Sequence, residues 1–204
     1  MRFACIPGAL ALLLSGAAPA AVPAPATATA SPVLPCAFYA WSIDPDLAGL
    51  RVRAGPSATA AVVGRLPGYT TDGEVYFGPV FQVTGSKDGW LRITDANDNY
   101  NPGKPRATYN GTGWVHGSMV RVAVQGSNGR TAPDLTARVL VSTGEDWLTD
   151  RGYVTGMTSC TGKWAKVRYT FLKKPPHGPR TGEAWFTNIC GEQRTTCDGV
   201  GTGQ

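Results

Sequence analysis

The sequence predicts an all-β protein of two small tandem modules behind a cleavable leader, and three observations predict it. Short runs in which apolar and polar residues alternate, such as Leu50-Arg51-Val52-Arg53 and Trp90-Leu91-Arg92-Ile93, recur between Gly, Pro, Asn and Asp residues, which is the period of half-buried strands. A set of anchor residues returns in order 77 positions further along the chain. The first thirty residues read as a secretory signal rather than as part of a fold.

That leader, residues 1–30, carries one Arg, an apolar run through Leu14 too short to cross a bilayer, and then small residues in Ala-x-Ala patterns. Cleavage after Ala20, Ala26 or Ala30 fits equally well. Pro19, Pro23 and Pro25 would break a buried helix, and Pro35 before Cys36 is wrong for a lipid anchor. Residues 31–39 are expected as a linker, continuing a Pro/Ala/Thr-rich spacer. No second apolar run is long enough to span a membrane, so the mature chain is expected to be exported without a transmembrane segment, as a periplasmic or secreted protein. The formal net charge of +5 falls to +4 once Arg2 leaves, and it is spread along the chain. Such a mild excess suits acidic wall polymers or headgroups. Nucleic acid is not expected as a partner because no basic run is present. The sequence leaves the oligomeric state open.

The first module is expected over residues 40–123. Ile43-Asp44-Pro45-Asp46 is a turn into the strand at Leu50–Arg53; Gly55-Pro56-Ser57 interrupts, and Val62-Val63 resumes the pairing until Gly64 and Pro67-Gly68 end it. Val80–Val83 and Trp90–Ile93 read as a hairpin about the Ser86–Gly89 turn. Asn110-Gly111 looks like the two-residue loop of a last hairpin ending in Gly113-Trp114-Val115. Leu-x-Val-Arg-x-Gly-Pro-Ser at 50–57, Gly-Trp-Leu-x-Ile at 89–93 and Thr-Gly-Trp-Val at 112–115 together resemble the bacterial Src-homology-3-type (SH3b) domain. The resemblance implies a small SH3-like β-barrel that binds something, without naming the ligand.

Two connections are longer than such a barrel needs, 69–79 and 94–106, and binding residues concentrate on long loops. The second begins like a calcium loop at Asp95-x-Asn97-x-Asn99, then departs, with Tyr100 where Gly is required and Arg106 where the bidentate Glu belongs. It is therefore expected as a polar, solvated loop, with no metal.

A more degenerate copy follows over 124–198, ahead of a Gly-rich tail at 199–204 expected to be flexible. Arg53, Pro56, Thr59, Ala60 and Val62 fall without gaps on Arg130, Pro133, Thr136, Ala137 and Val139. Gly89–Ile93 finds Lys163–Val167 at an offset of 74, and Thr112–Val115 is echoed loosely by Thr181–Trp185. The expected architecture is thus two tandem small SH3-like barrels. Between the last two strands of the copy, the basic, Pro-rich 173–180 stretch is either a polar hairpin tip or a contact for anionic polymer.

Five cysteines become four when Cys5 leaves with the leader, and Cys36, Cys160, Cys190 and Cys197 are expected as two disulfides with three connectivities possible. A zinc site is disfavoured by the spacing of Cys190 and Cys197 and by the want of a nearby histidine. Catalytic signatures are missing: no HExxH, GxSxG, phosphate-binding or dinucleotide loop, so neither cofactor nor catalytic residue is expected. His116-Gly117-Ser118 and the order Cys160, His177 are the nearest approaches to a hydrolase site. Aromatic residues carry more promise. Six Trp and seven Tyr exceed what two small cores usually hide, and Tyr69, Tyr76, Tyr100, Tyr109 and Trp114, with Trp41 nearby, are the candidate ligand contacts. Trp90 and Trp164 are expected in the core.

The reading from sequence is an exported non-catalytic protein that binds cell-wall (peptidoglycan) peptide or another peptide or protein ligand. The alternatives are an adaptor in a periplasmic assembly and a cryptic wall hydrolase.

Overall fold

The computed structural model describes residues 31–73, 75–193 and 197; the leader and the tail expected at 199–204 lie outside the described residues. Alternation converts into strands as expected. In chain order they are β1 (Leu34–Ser42), β2 (Leu50–Arg53), β3 (Val62–Leu66), β4 (Thr70–Asp72), β5 (Val75–Phe77), β6 (Val80–Lys87), β7 (Trp90–Asn97), β8 (Gly113–His116), β9 (Val120–Arg121) and β10 (Ala123–Val124). There follow β11 (Asn128–Arg130), β12 (Val139–Ser142), the short helix α1 (Leu148–Arg151), β13 (Gly152–Thr161), β14 (Trp164–Phe171), β15 (Thr181–Phe186) and β16 (Ile189–Cys190).

These strands build a seven-stranded sheet ordered β3-β2-β8-β7-β6-β1-β9 and a five-stranded sheet ordered β12-β11-β15-β14-β13, with two-stranded ribbons β4-β5 and β10-β16. The described residues are all-β, and among them no sheet closes on itself into a barrel.

Five strands of each large sheet repeat one order, β3-β2-β8-β7-β6 in the first and β12-β11-β15-β14-β13 in the second. The 77-residue offset is written into the hydrogen bonds as well. Arg53 Nη1 donates to the Ala60 carbonyl at 2.7 Å, and Arg130 Nη1 to that of Ala137 at 2.8 Å. Ala54 N reaches Ala61 O at 2.8 Å, as Thr131 N reaches Arg138 O at 3.0 Å. The side chains of Ser57 and Asp134 each accept from the amide two residues on, at 3.2 and 2.7 Å. Both arginines sit at a bulge in their hairpin and face a tryptophan across the sheet, Arg53 opposite Trp114 and Arg130 opposite Trp185.

One apolar core runs through both sheets, from Phe38, Phe81 and Ile93 in the first to Val167, Phe171 and Phe186 in the second. They join along β1, β6 and β13. Cys36 is bonded to Cys160, 124 residues away. Beside that bond the buried Ser86 hydroxyl donates to Cys160 O and accepts from Cys160 N, each at 2.9 Å, so both backbone groups are satisfied where the sheets meet. Gly117 lies so close to β13 that a Cβ there would stand 2.0 Å from Met157 O. The second disulfide, Cys190–Cys197, closes a short loop after β16.

Several expectations are corrected. Residues 31–39, expected as a linker, enter β1 at Leu34, because the alternation Cys36, Phe38, Ala40 buries that face while Tyr39 stays exposed. The 69–79 loop is largely a small hairpin, β4-β5. The turn expected within Ser86–Gly89 is borne out: Asp88-Gly89 makes the tight turn of the β6-β7 hairpin, both residues at positive φ (50° and 81°). Asn110-Gly111 is no hairpin turn: no strand precedes it, and the Tyr109 ring occupies the space beside Gly64 and Gly111 instead. The 94–106 loop is not simply solvated. The Asp98 side chain is 1% exposed, held by Arg106 Nε at 2.7 Å and Nη2 at 3.0 Å, with Arg106 N and Asn101 Nδ2 also at 3.0 Å.

Candidate functional site

The two large sheets meet at Cys36–Cys160, near one end of β1 and β13, and a cavity of about 1100 Å³ opens where the other ends lie, at Trp41 and at Gly152–Thr155. Each wall comes from a different part of the chain. Trp41 closes β1; Tyr69 and Tyr76 flank and belong to the β4-β5 hairpin; Trp147 precedes α1, and Tyr153 lies in β13. Tyr69 and Tyr76 stand edge to face with ring centroids 4.9 Å apart, each fixing the other's orientation. Tyr76 and Tyr153 remain more than half exposed (55% and 52%), an uncommon state for aromatic rings that border a concave surface.

The floor is the chain between the sheets. Val120-Arg121-Val122 alternates, so the valines turn into the core and Arg121 turns out, directly across the strand pair from Trp41. Arg121 Nη1 donates to the carbonyls of Ser118 and Val120, both at 2.9 Å. Burial lowers its pKa to about 10, which leaves it charged at neutral pH. Asp150 and Glu192 supply the acidic side chains of the lining, and Gln193 lies beside them. Tyr100 Oη donates to Glu192 Oε2 at 2.5 Å, and the Gln193 amide clasps both backbone groups of Gly78 at 2.8 and 2.9 Å, pinning the chain's return across β1.

Of the residues singled out from sequence, Tyr69 and Tyr76 line the cavity and Tyr100 buttresses it through Glu192. Tyr109 lies elsewhere, packed on β3 at Gly64, and Trp114 is 8% exposed within the first sheet. Trp90 and Trp164 are half-buried, Trp90 edge-on to the His116 ring at 5.2 Å. His116 Nδ1 and Ser118 Oγ are 2.7 Å apart on an exposed turn, where the imidazole also accepts from Ser118 N. Cys160, bonded to Cys36, carries no free thiolate. The basic 173–180 stretch folds back on the edge of β12, His177 pairing with Ser142. Sequence reasoning missed Arg121, Trp147 and Tyr153. Only Arg121 left a signal, a lone cation between two valines at strand spacing.

No protein-family model, curated protein or solved structure significantly matches this chain. Among the described residues no group of His, Cys, Asp and Glu is arranged to hold a metal ion. Nor, among the described residues, is any helix long and apolar enough to cross a membrane. The two disulfides are bonds that an oxidising compartment permits, which fits an exported protein.

Proposed function

We propose that this chain is an exported, non-catalytic binding protein built of two tandem SH3b-like modules, and that it holds cell-wall peptide or another extended ligand in the cavity between its large sheets. One observation carries this reading: five aromatic side chains from four separate stretches converge on that cavity, two of them more than half exposed. Flat rings give an extended ligand large contact area at low cost in side-chain entropy, which is why such walls suit peptide backbones and sugar faces. The tandem arrangement is supported by the strand order that occurs twice and by the arginine, alanine and turn contacts repeated at 77 residues. The modules would then be open forms of the barrel, since neither sheet closes.

The test is sedimentation of the mature protein with purified peptidoglycan at low and high salt. Retention that survives salt and falls with Tyr76→Ala or Tyr153→Ala supports the reading, both residues being exposed enough for the variants to fold. A protein left in the supernatant under every condition refutes it, and co-purification of a protein partner in its place favours the adaptor role.

A further inference from the structure

The cavity has a charge pattern that narrows what enters it. Its described lining carries one cation, Arg121, and two carboxylates, Asp150 and Glu192.

Arg121 itself is half committed. Both hydrogens of Nη1 are used, one on Ser118 O and one on Val120 O, which fixes the plane of the guanidinium. The other edge, Nε–H with Nη2–H, has no acceptor among the described residues, and no carboxylate among them lies within 4.0 Å of the group. No buried side-chain nitrogen or oxygen among the described residues lacks a partner, so this free edge is open to solvent, and Arg121 lines the cavity. That edge is the fork whose two parallel donors match the two oxygens of a carboxylate. Partial burial strengthens such a pair relative to one at the open surface.

We propose that Arg121 anchors the carboxylate of a zwitterionic peptide, whose ammonium end faces the Asp150 and Glu192 side of the cavity and whose backbone lies against Tyr76 and Tyr153. This rests on reading the cavity as the ligand site. The cavity volume of about 1100 Å³ is ample for a short peptide.

The test is calorimetric titration of the mature protein with two probes: a lysine-containing tetrapeptide with a free C-terminal carboxylate, and the same peptide as its C-terminal amide. The acid is expected to bind on the order of ten- to a hundredfold more tightly than the amide, the range for charge-assisted hydrogen bonds. Arg121→Gln should abolish that preference, and Arg121→Lys should keep part of it, having charge without the fork. The comparison of acid with amide on the unaltered protein needs no variant, so it stands even if Arg121→Gln loosens the turn it holds. Equal binding of acid and amide overturns the proposal, as does an acid preference that survives Arg121→Gln. If neither peptide binds while the protein is still retained on peptidoglycan, the Arg121 assignment falls and the binding function stands. If retention is also lost, the function falls with it.

Discussion

Replacing Asp98 by Asn removes a buried anion while keeping its shape, and the structure sets the size of the effect. The carboxylate is 1% exposed and accepts four hydrogen bonds, three from Arg106 and one from Asn101, which tie the long β7-β8 connection into one unit. Burial pushes its pKa up, but the hydrogen bonds and the charge of Arg106 outweigh burial and hold the carboxyl below the ordinary carboxylate range. Breaking a buried pair costs about 3–5 kcal/mol; Arg106 is one-third exposed and can recover water, so about 2–4 kcal/mol is expected here. For a chain of this size that lowers Tm by roughly 5–15 °C. The sign of the pH dependence follows from the depressed pKa. Asp98 contributes its stability above the unfolded-state value near 3.8 and loses it as pH falls through the lower folded-state value. Thermal unfolding followed by circular dichroism at pH 7 and at successive steps below pH 3.8 should therefore show a gap between wild type and Asp98→Asn that narrows as pH falls. A gap under about 0.5 kcal/mol at pH 7, within the range of neutral surface changes, would refute the reasoning, as would one that persists unchanged in acid.

Three further outcomes follow. Joint Cys36→Ser and Cys160→Ser substitution opens a link across 124 residues and should cost about 4–5 kcal/mol by the chain-entropy argument, read as a lower midpoint in urea; an unchanged midpoint contradicts the bond's role. Gly117→Ala forces a methyl against Met157 O, 2.0 Å from its ideal position, and should lower Tm by several degrees through the sheet-to-sheet contact. Arg53→Met and Arg130→Met each remove one arginine-to-carbonyl hydrogen bond in equivalent hairpins and should cost similar amounts, about 1–3 kcal/mol; very unequal costs would argue against equivalence.

What could be read from the sequence was local. Alternation and short apolar runs placed β2, β3, β6 and β7, and Asp88-Gly89 marked a turn because few other pairs accept positive φ twice. The 77-residue offset was legible because a bulge arginine and its turn recur as a unit. Asn110-Gly111 misled since its neighbour Tyr109 found a packing surface on Gly64 that outweighs the turn preference. Asp98 with Arg106 escaped notice, its burial being a property of the folded loop. The cavity was only half visible. Tyr69 and Tyr76 stood out on a long connection, whereas Trp147, Tyr153 and Arg121 join them through the packing of one half of the chain on the other, which no local pattern encodes.

The account depends on that cavity being where ligand sits. Amide chemical-shift mapping of the isotopically labelled mature protein with soluble peptidoglycan fragments tests this most directly. Shifts should cluster at Trp41, Tyr69, Tyr76, Arg121, Trp147 and Tyr153, flanked by the β4-β5 hairpin and α1. Shifts confined to the exposed edge at Val62 and Val63, or to the 94–106 connection, would contradict it.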